Sequence, residues 1–451
     1  MSDQTPSSPA PAVEKPAERA RRGWLAAIGP AIITASVVLG PGSILSASKI
    51  GWQHGYAMTW VLVLAIGLMI GMTALSARLG VLLNGTLCDE LATRAGRPVA
   101  AFTGVSLFLI AACFQFSNNL GVLAALEPFF DPAEATAAAR YWKIGAIVGL
   151  NAFIITVLFG FKKLYGSVEK LMKLLVGLML VGFAGNLIMA KPSLTGLLGG
   201  LIPTVPEGTG QALIPTWKDG GIVDGLAPLV AMFATTFSVA AAYYQSYLVR
   251  QKGWGREDLR QGVVDSAVGI SVLGGLTLMV MATAASVLHG NPAVTALNSA
   301  GDVALQLEPA FGQGAKVLFC LGIFAGAFSS FLVNAAIGGS ILSDGFGLGG
   351  YLDMKWPKIC TTLALLMGMV VAVYVEYTGQ RPVNLIIFAQ ALTVLGVPVL
   401  AIAMLWLATR SDMTGKNQVP LWMKVIGGVG LIAAVVLALR TALTLWLKLS
   451  H

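Results

Sequence analysis

The sequence predicts an all-α membrane protein with eleven transmembrane helices, arranged as an inverted repeat of five plus five helices with one added helix. Three observations predict this fold: an apolar composition, eleven long apolar segments, and a break within the first segment. Of the 451 residues, 56% are hydrophobic and 11% are charged, whereas a soluble domain carries about 25% charged residues. The net charge is +8, and the basic residues lie in short loops between the apolar segments. This placement is typical of membrane orientation, and no nucleic-acid partner is expected.

Eleven segments reach the length of about 20 mostly apolar residues that a membrane span requires. They cover roughly residues 25–50, 57–83, 99–127, 141–160, 167–190, 223–250, 262–288, 314–343, 358–376, 383–408 and 421–448. We refer to them as spans 1 to 11.

Basic residues in the loops predict the orientation of the chain. Lys and Arg concentrate in segments that share a side with the N-terminus, such as 250–260, and are sparse on the other side. The positive-inside rule then places the N-terminus in the cytoplasm and the C-terminus outside a cell membrane, of the bacterial inner-membrane type. Residues 1–22, rich in Pro, Ala and Ser, are predicted to form a disordered cytoplasmic tail.

Span 1 contains the polar break Gly40-Pro41-Gly42-Ser43. Proline lacks a backbone N–H and glycine relaxes φ, so an unbroken helix cannot pass through this sequence. Broken membrane helices are tolerated where their freed backbone lines a cavity, and they mark binding sites of secondary transporters. A kink that serves packing alone is the alternative interpretation.

A linker rich in Pro and Gly, residues 191–222, divides the helices into two sets. It is predicted to be extracellular, between a first repeat at 23–190 and a second at 223–408, with the eleventh helix and the C-terminus at 409–451. Because each repeat has an odd number of spans, the second has inverted topology. This is the frame of transporters that work by alternating access.

Span 6 should be broken where span 1 is broken, if the two repeats correspond. Its middle has no Gly or Pro but carries the hydroxyl-rich run Thr235-Thr236-Phe237-Ser238. Hydroxyl groups can bind freed backbone groups in a membrane helix. A regular helix whose hydroxyls bond back to the preceding turn remains an open alternative.

Several spans carry amide side chains, which we interpret as a polar pathway. They are Gln115 and Asn118 in span 3, Gln245 in span 6 and Asn334 in span 8. Hydrogen bonding between helices, worth about 0.6 kcal/mol each, is the alternative role.

No carboxylate or histidine is predicted at mid-depth of any span. The nearest carboxylates lie within about two turns of predicted span ends, and the four cysteines have no metal-ligand spacing. Proton coupling therefore lacks a candidate residue, capture of a soft transition metal is not expected, and no cofactor or enzymatic centre is visible. A hard cation that keeps its waters, such as Mg²⁺, suits hydroxyl, carbonyl and amide groups.

The chain resembles the NRAMP family of divalent-metal transporters, which have a leucine-transporter-like fold, from Gly29 onward. The motifs that carry the resemblance are Gly29-Pro30-Ala31 before the break, Leu75–Gly80, Leu201–Pro206, Ala325–Ser330 with Asp344-Gly345-Phe346, Ala389-Gln390 and Val397-Pro398.

The resemblance implies a substrate site from which the usual metal ligands are missing. The family's aspartate and asparagine of the first break are replaced here by Gly40 and Ser43, and its helix-6 methionine by Ser238. Thr235 occupies the place of a backbone-carbonyl ligand, and Gln390 is the one mapped ligand that is kept. The chain is thus similar to NRAMP-related magnesium transporters.

The family's proton-transfer residues are replaced as well. The resemblance places Gln115 and Asn118 where helix 3 of the family has an aspartate and a glutamate, and Gln245 where helix 6 has its second histidine.

These observations predict a secondary transporter of a hard divalent cation, Mg²⁺ or also Mn²⁺, without proton coupling. Its partners would be the transported ion or solute and the lipid bilayer, and a monomer is expected. Two alternatives stay open. The glycine-rich break resembles that of amino-acid transporters, so an amino acid, an organic anion or another anion could bind there. The second alternative is that the protein is a relative of the family that does not transport.

Overall fold

The computed structural model describes residues 29–129, 137–160, 164–204, 214–218, 221–297, 300–379, 389 and 393–450. The predicted tail at 1–22 lies outside these residues. The elements used below are α1 (Pro30–Val38), α2 (Pro41–His54), α3 (Thr59–Leu82), α4 (Leu87–Ala95), α5 (Arg97–Leu126), α6 (Ala137–Gly160), α7 (Leu164–Ala190), α8 (Leu194–Gly199), β1 (Thr216–Lys218), β2 (Gly221–Val223), α9 (Ala227–Thr236), α10 (Val239–Gln251), α11 (Leu259–Val287), α12 (Ala300–Phe311), α13 (Gln313–Gly345), α14 (Lys355–Thr378), α15 (Val397–Ala408) and α16 (Leu421–Ser450).

The described helices agree with the predicted spans. Among the described residues, nine apolar stretches are long enough to cross a membrane, and one of these, Ala227–Gln251, comprises α9 and α10. A further pair, α1 and α2, forms a broken span bent by 55°. The shorter apolar helix at Thr393–Ala408 corresponds to the second part of predicted span 10. Within the described residues, the count is therefore consistent with eleven spans.

Span 1 breaks at the predicted place. α1 ends at Val38, and α2 begins at Pro41 with Gly40 as its extended N-cap residue. The proline fits the first turn of a helix, because no backbone donor is needed there.

Span 6 is also broken, although it has no proline or glycine at the break. Phe237 (φ −88°, ψ 63°) and Ser238 (φ −82°, ψ 85°) leave the helical region between α9 and α10. The N–H of Phe237 donates to the Phe233 carbonyl and closes α9. The regular-helix alternative for span 6 is therefore wrong.

The halves of spans 1 and 6 pack in matched pairs. α2 packs against α9, where Leu45 contacts Ala231, and α1 packs against α10, where Thr34 donates to Gln245. Because each half of one span meets one half of the other, the two breaks lie at the same level.

The predicted linker contains local structure that its sequence did not indicate. α8 is capped by the Ser193 hydroxyl, which accepts the Gly196 N–H, and β1 pairs with β2 in antiparallel register, Thr216 opposite Val223. The Gly200 carbonyl accepts the Trp60 N–H and so fixes the end of α8 to the first turn of α3.

Candidate functional site

The break in span 1 leaves carbonyl groups without backbone donors. The last four carbonyls of a helix have no partner within the helix, and no backbone N–H reaches those of Ser36, Val37, Val38 or Leu39. The Ser43 hydroxyl donates to the Val38 carbonyl over 2.5 Å. Predicted site residue Ser43 therefore closes the break from within span 1.

Two serines of α13 face the same carbonyls. Ser329 Oγ lies 3.4 Å from the Ser36 carbonyl oxygen, and Ser330 Oγ lies 3.5 Å from that of Val37. Both side chains are fully buried. Their role was not predicted from the sequence, although two adjacent hydroxyl residues in an apolar span were a visible signal.

Gly40 contacts α5 and α13 at the break. A Cβ atom added at Gly40 would lie 2.9 Å from Ser330 Oγ and 3.4 Å from Asn118 Oδ1. The space beside Gly40 is therefore filled by neutral oxygen atoms from two other spans.

Asn118 has an amide that no protein group satisfies. Its side chain is fully buried, yet neither Oδ1 nor Nδ2 has a hydrogen-bond partner. Buried amides of native proteins are nearly always paired. Asn118, beside Gly40, is the strongest candidate for a group that contacts a substrate or its water.

Two other amides of the predicted pathway bind α13. Gln115 Nε2 donates to the Phe331 carbonyl over 2.9 Å, while its Oε1 has no partner. Asn334 Nδ2 donates to Ser330 Oγ over 2.9 Å. The Gln115 bond joins spans 3 and 8, which is the interhelical role considered for such amides, whereas the Asn334 bond lies within span 8.

Close helix packing surrounds the span 1 break. Gly121 of α5 lies so near Pro41 that a Cβ atom would approach its ring to 2.1 Å, and one at Gly326 would lie 2.8 Å from the Leu39 carbonyl oxygen. Glycine at these positions allows spans 3 and 8 to reach the broken backbone.

Hydroxyl groups line the break in span 6. Thr235 Oγ1 donates to the Met232 carbonyl over 3.1 Å, and Thr236 Oγ1 is buried without a partner. Ser238 is 3% exposed and occupies the break itself. Thr235 and Ser238 are thus at the level of Gly40 but on the other broken span.

Gln245 lies away from both breaks, in a network that includes a buried carboxylate. It is seven residues beyond Ser238, about 10 Å along α10. Its Oε1 accepts Thr34 Oγ1 over 2.5 Å, and its Nε2 donates to Asp265 Oδ2 over 3.3 Å. Asp265 also accepts the N–H groups of Gly29 and Ala31, each over 2.9 Å.

Asp265 therefore caps the first half of span 1. Together with Gln245 it joins α1, α10 and α11 in one hydrogen-bonded group. Predicted site residue Gln390 lies outside the described residues.

Within the described part of span 1, formal charges lie away from the break. The charge nearest to it along span 1 is Lys49, nine residues beyond Gly40 and about 13 Å along α2, with Asp302 of α12 close enough to interact with it. Within the described residues, no group of three His, Cys, Asp or Glu could hold a metal ion.

Cys88 is a buried thiol beside two tyrosines and a carboxylate. Cys88 on α4 lies near Tyr243, Tyr247 and Asp344. Burial raises the pKa of the Cys88 thiol to about 12. Without a cation beside it, the thiol therefore stays protonated at neutral pH.

Comparison with known proteins gives a consistent result. The family model for natural resistance-associated macrophage protein-like proteins, Nramp, matches residues 31–444. A divalent metal cation transporter MntH of Deinococcus radiodurans is 25% identical over 436 residues, which cover 95% of this chain and 91% of that protein. An MntH of Klebsiella pneumoniae is 25% identical over 434 residues, with coverage of 95% and 96%.

A crystal structure of a manganese transporter variant from Eremococcus coleocola has the same fold. It superposes with a TM-score of 0.71 at 18% identity and covers 92% of this chain and 85% of that one. The predicted fold class is confirmed.

Proposed function

The chain belongs to the Nramp family, and on that premise we propose that it carries a hard divalent cation across the membrane by alternating access. The cation is Mg²⁺, with Mn²⁺ as a second substrate, and transport is not coupled to protons. Relatives named as divalent metal cation transporters support the general class, and the expectation that the chain is not an enzyme is confirmed.

One observation carries the choice of a hydrated, hard ion: the described groups around Gly40 are neutral. Ser43, Asn118 and Ser330 offer hydroxyl and amide groups, and Thr235 and Ser238 continue this chemistry on span 6. Mg²⁺ dehydrates reluctantly and keeps several waters. Such waters can hydrogen-bond to a neutral lining without a countercharge in the protein.

The lack of proton coupling is supported by the positions of the buried carboxylates. Asp265 caps α1, and Asp344, at the end of α13, accepts Thr86 Oγ1 and the Tyr247 hydroxyl over 2.6 and 2.5 Å. Neither residue adjoins the breaks, where Gln115 and Asn118 are amides that cannot titrate.

Flux measurements in proteoliposomes test the proposal. With Na⁺ held constant, we expect saturable uptake of Mg²⁺, and of Mn²⁺, above that of protein-free vesicles, because the neutral site admits hard cations. Asn118→Ala should lower this uptake, whereas Asn186→Ala, which changes a buried amide of span 5, should not. Absence of Mg²⁺, Mn²⁺ and Ca²⁺ flux, alongside flux of an amino acid or anion, would show that the alternative reading of the glycine-rich break is right.

A further inference from the structure

We propose that a cavity beside spans 4 and 5 binds an acyl chain of an anionic phospholipid. The cavity lies between α6, α7, α10, α13 and α14 and has a volume of about 380 Å³. We call it the lipid-facing cavity. Its volume falls within the range of about 300–1,000 Å³ that is typical of binding sites for small organic molecules. The proposal does not depend on which ion the protein carries.

The wall of the lipid-facing cavity is almost entirely apolar. α6 and α13 contribute aliphatic and phenyl side chains to it, such as Ile154, Leu158, Phe328 and Leu332. An apolar cavity offers water no hydrogen bonds and therefore stays dry. The occupant that fits this wall is an apolar chain.

The cavity adjoins the surface that spans 4 and 5 present to the membrane. Only 22% of the most apolar stretch of span 4, and 39% of that of span 5, is buried inside the protein. Phe153 of α6 lines the cavity and is 60% exposed. Lipid tails are as apolar as the leucine side chains that such spans expose. An acyl chain can therefore enter the cavity from the bilayer without passing through water.

Polar side chains mark one end of the cavity. Ser167 lies near the start of α7, Gln251 is the last residue of α10, and Thr361 lies in the second turn of α14. Three helices thus begin or end at this level, as expected where spans reach the surface of the membrane. This end of the cavity therefore suits the headgroup of a lipid, and the apolar part suits its tail.

The residues around the polar end carry an excess of positive charge. The segments 166–173, 251–252 and 352–361 contain two carboxylates, Glu169 and Asp353, and five lysines, Lys170, Lys173, Lys252, Lys355 and Lys358. Glu169 pairs with two of these lysines, so lysines outnumber the carboxylates that can neutralise them. Basic residues beside a membrane attract anionic headgroups. The charge therefore favours an anionic phospholipid over a zwitterionic one.

One lysine lies directly beside the cavity. The Lys358 ammonium group is 6.0 Å from the centroid of the Phe159 ring, and Phe159 follows the lining residue Leu158 in α6. Lysine buries its aliphatic stem along apolar surface while its ammonium group stays in the polar region. Lys358 is thus placed to face a phosphate group at the mouth of the cavity.

The inner wall of the cavity belongs to the two broken spans. Ile33 of α1 and Tyr244 and Leu248 of α10 line it, and all three are buried. A bound acyl chain would contact one half of each broken span. It would therefore bind this arrangement of α1 and α10 more tightly than one in which they move apart, and so favour it.

Titration with phosphatidylglycerol, followed by native mass spectrometry of the purified full chain in detergent, tests the site. Phosphatidylcholine with the same acyl chains is titrated in parallel. We expect one molecule of phosphatidylglycerol to bind at least tenfold more tightly than phosphatidylcholine, because its headgroup is anionic. Val157→Trp, which fills the cavity from α6, should weaken this binding at least tenfold.

Val148→Trp is the matched control, because Val148 is an exposed valine of α6 outside the lining of the cavity. It should bind phosphatidylglycerol like the wild type. The double variant Lys170→Gln/Lys355→Gln should lose most of the preference for phosphatidylglycerol. Lys416→Gln, which removes an exposed lysine from the loop before α16, should keep it.

Three results would overturn the proposal. They are equal phosphatidylglycerol affinity of folded Val157→Trp and Val148→Trp, equal affinity of the wild type for the two phospholipids, and tighter binding of free oleate, which would identify a fatty acid as the occupant. If Val157→Trp fails to fold, phosphatidylglycerol with a diazirine in its acyl chain is photo-crosslinked to the wild type in phosphatidylcholine vesicles. Label on Val333 or Ala336, which line the cavity from α13, supports the site, and label confined to other positions refutes it.

Discussion

A variant that carries Gly40→Asp, Ser43→Asn, Ser238→Met and Ser330→Ala should bind Mn²⁺ at least tenfold more tightly than the unmodified protein, a gain of ~1.4 kcal/mol or more. The carboxylate supplies a countercharge, and the thioether supplies a soft ligand that transition metals favour. Ser330→Ala is included because a Cβ atom at position 40 would lie 2.9 Å from Ser330 Oγ. Isothermal titration calorimetry measures the affinity.

The matched control for this conversion has Gly40→Asn in place of Gly40→Asp and keeps the other three changes. Asparagine has the shape of aspartate without its charge, so the two variants differ only in the countercharge at the break. Both should elute as folded protein with unchanged helical circular dichroism. Equal Mn²⁺ affinity of the two folded variants would show that position 40 does not face the transported ion.

Asp265→Ala should cause the largest loss of stability among single carboxylate changes, on the order of 2–5 kcal/mol. It would leave the buried N–H groups of Gly29 and Ala31 and the amide of Gln245 without an acceptor, and each such group costs about 1–3 kcal/mol. Asp265→Asn should cause a smaller loss of stability, because the remaining side-chain oxygen still accepts hydrogen bonds. Thermal unfolding midpoints give the ranking.

Asp412→Asn is the control for Asp265. Asp412 is exposed and pairs with Arg94, and exposed ion pairs contribute about 0–1 kcal/mol. The thermal unfolding midpoint of Asp412→Asn should stay close to that of the wild type. A midpoint of Asp265→Ala as high as that of Asp412→Asn would mean that Asp265 does not fasten α1 to the neighbouring spans.

The sequence predicted those parts of the fold that depend on local chemistry. Apolar length located the spans, and Gly40-Pro41 located the first break, because proline and glycine disrupt a helix wherever they occur in its interior. The break at Phe237–Ser238 had only hydroxyl groups as a signal, and its backbone conformation is set by packing in the fold. Local sequence therefore left two interpretations open, and the structure selected the broken helix.

The candidate site was predicted less completely, because its contacts join distant parts of the chain. Ser329 and Ser330 meet the α1 carbonyls across nearly 300 residues, a proximity that no local pattern reveals. Gln245 looked like part of a pathway, yet its hydrogen bonds to Thr34 and Asp265 depend on the packing of three helices. The spacing of the family's motifs could locate positions such as Gly40 in the sequence. It could not show which side chains surround those positions.

In the proposed mechanism, a site of neutral groups carries a divalent cation without moving protons. Its most direct test is the simultaneous measurement of Mg²⁺ uptake and lumenal pH in proteoliposomes at constant Na⁺ and clamped membrane potential. We expect Mg²⁺ uptake with no acidification of the lumen, and an uptake rate that an imposed pH gradient does not change. Acidification that rises in proportion to Mg²⁺ uptake would contradict it.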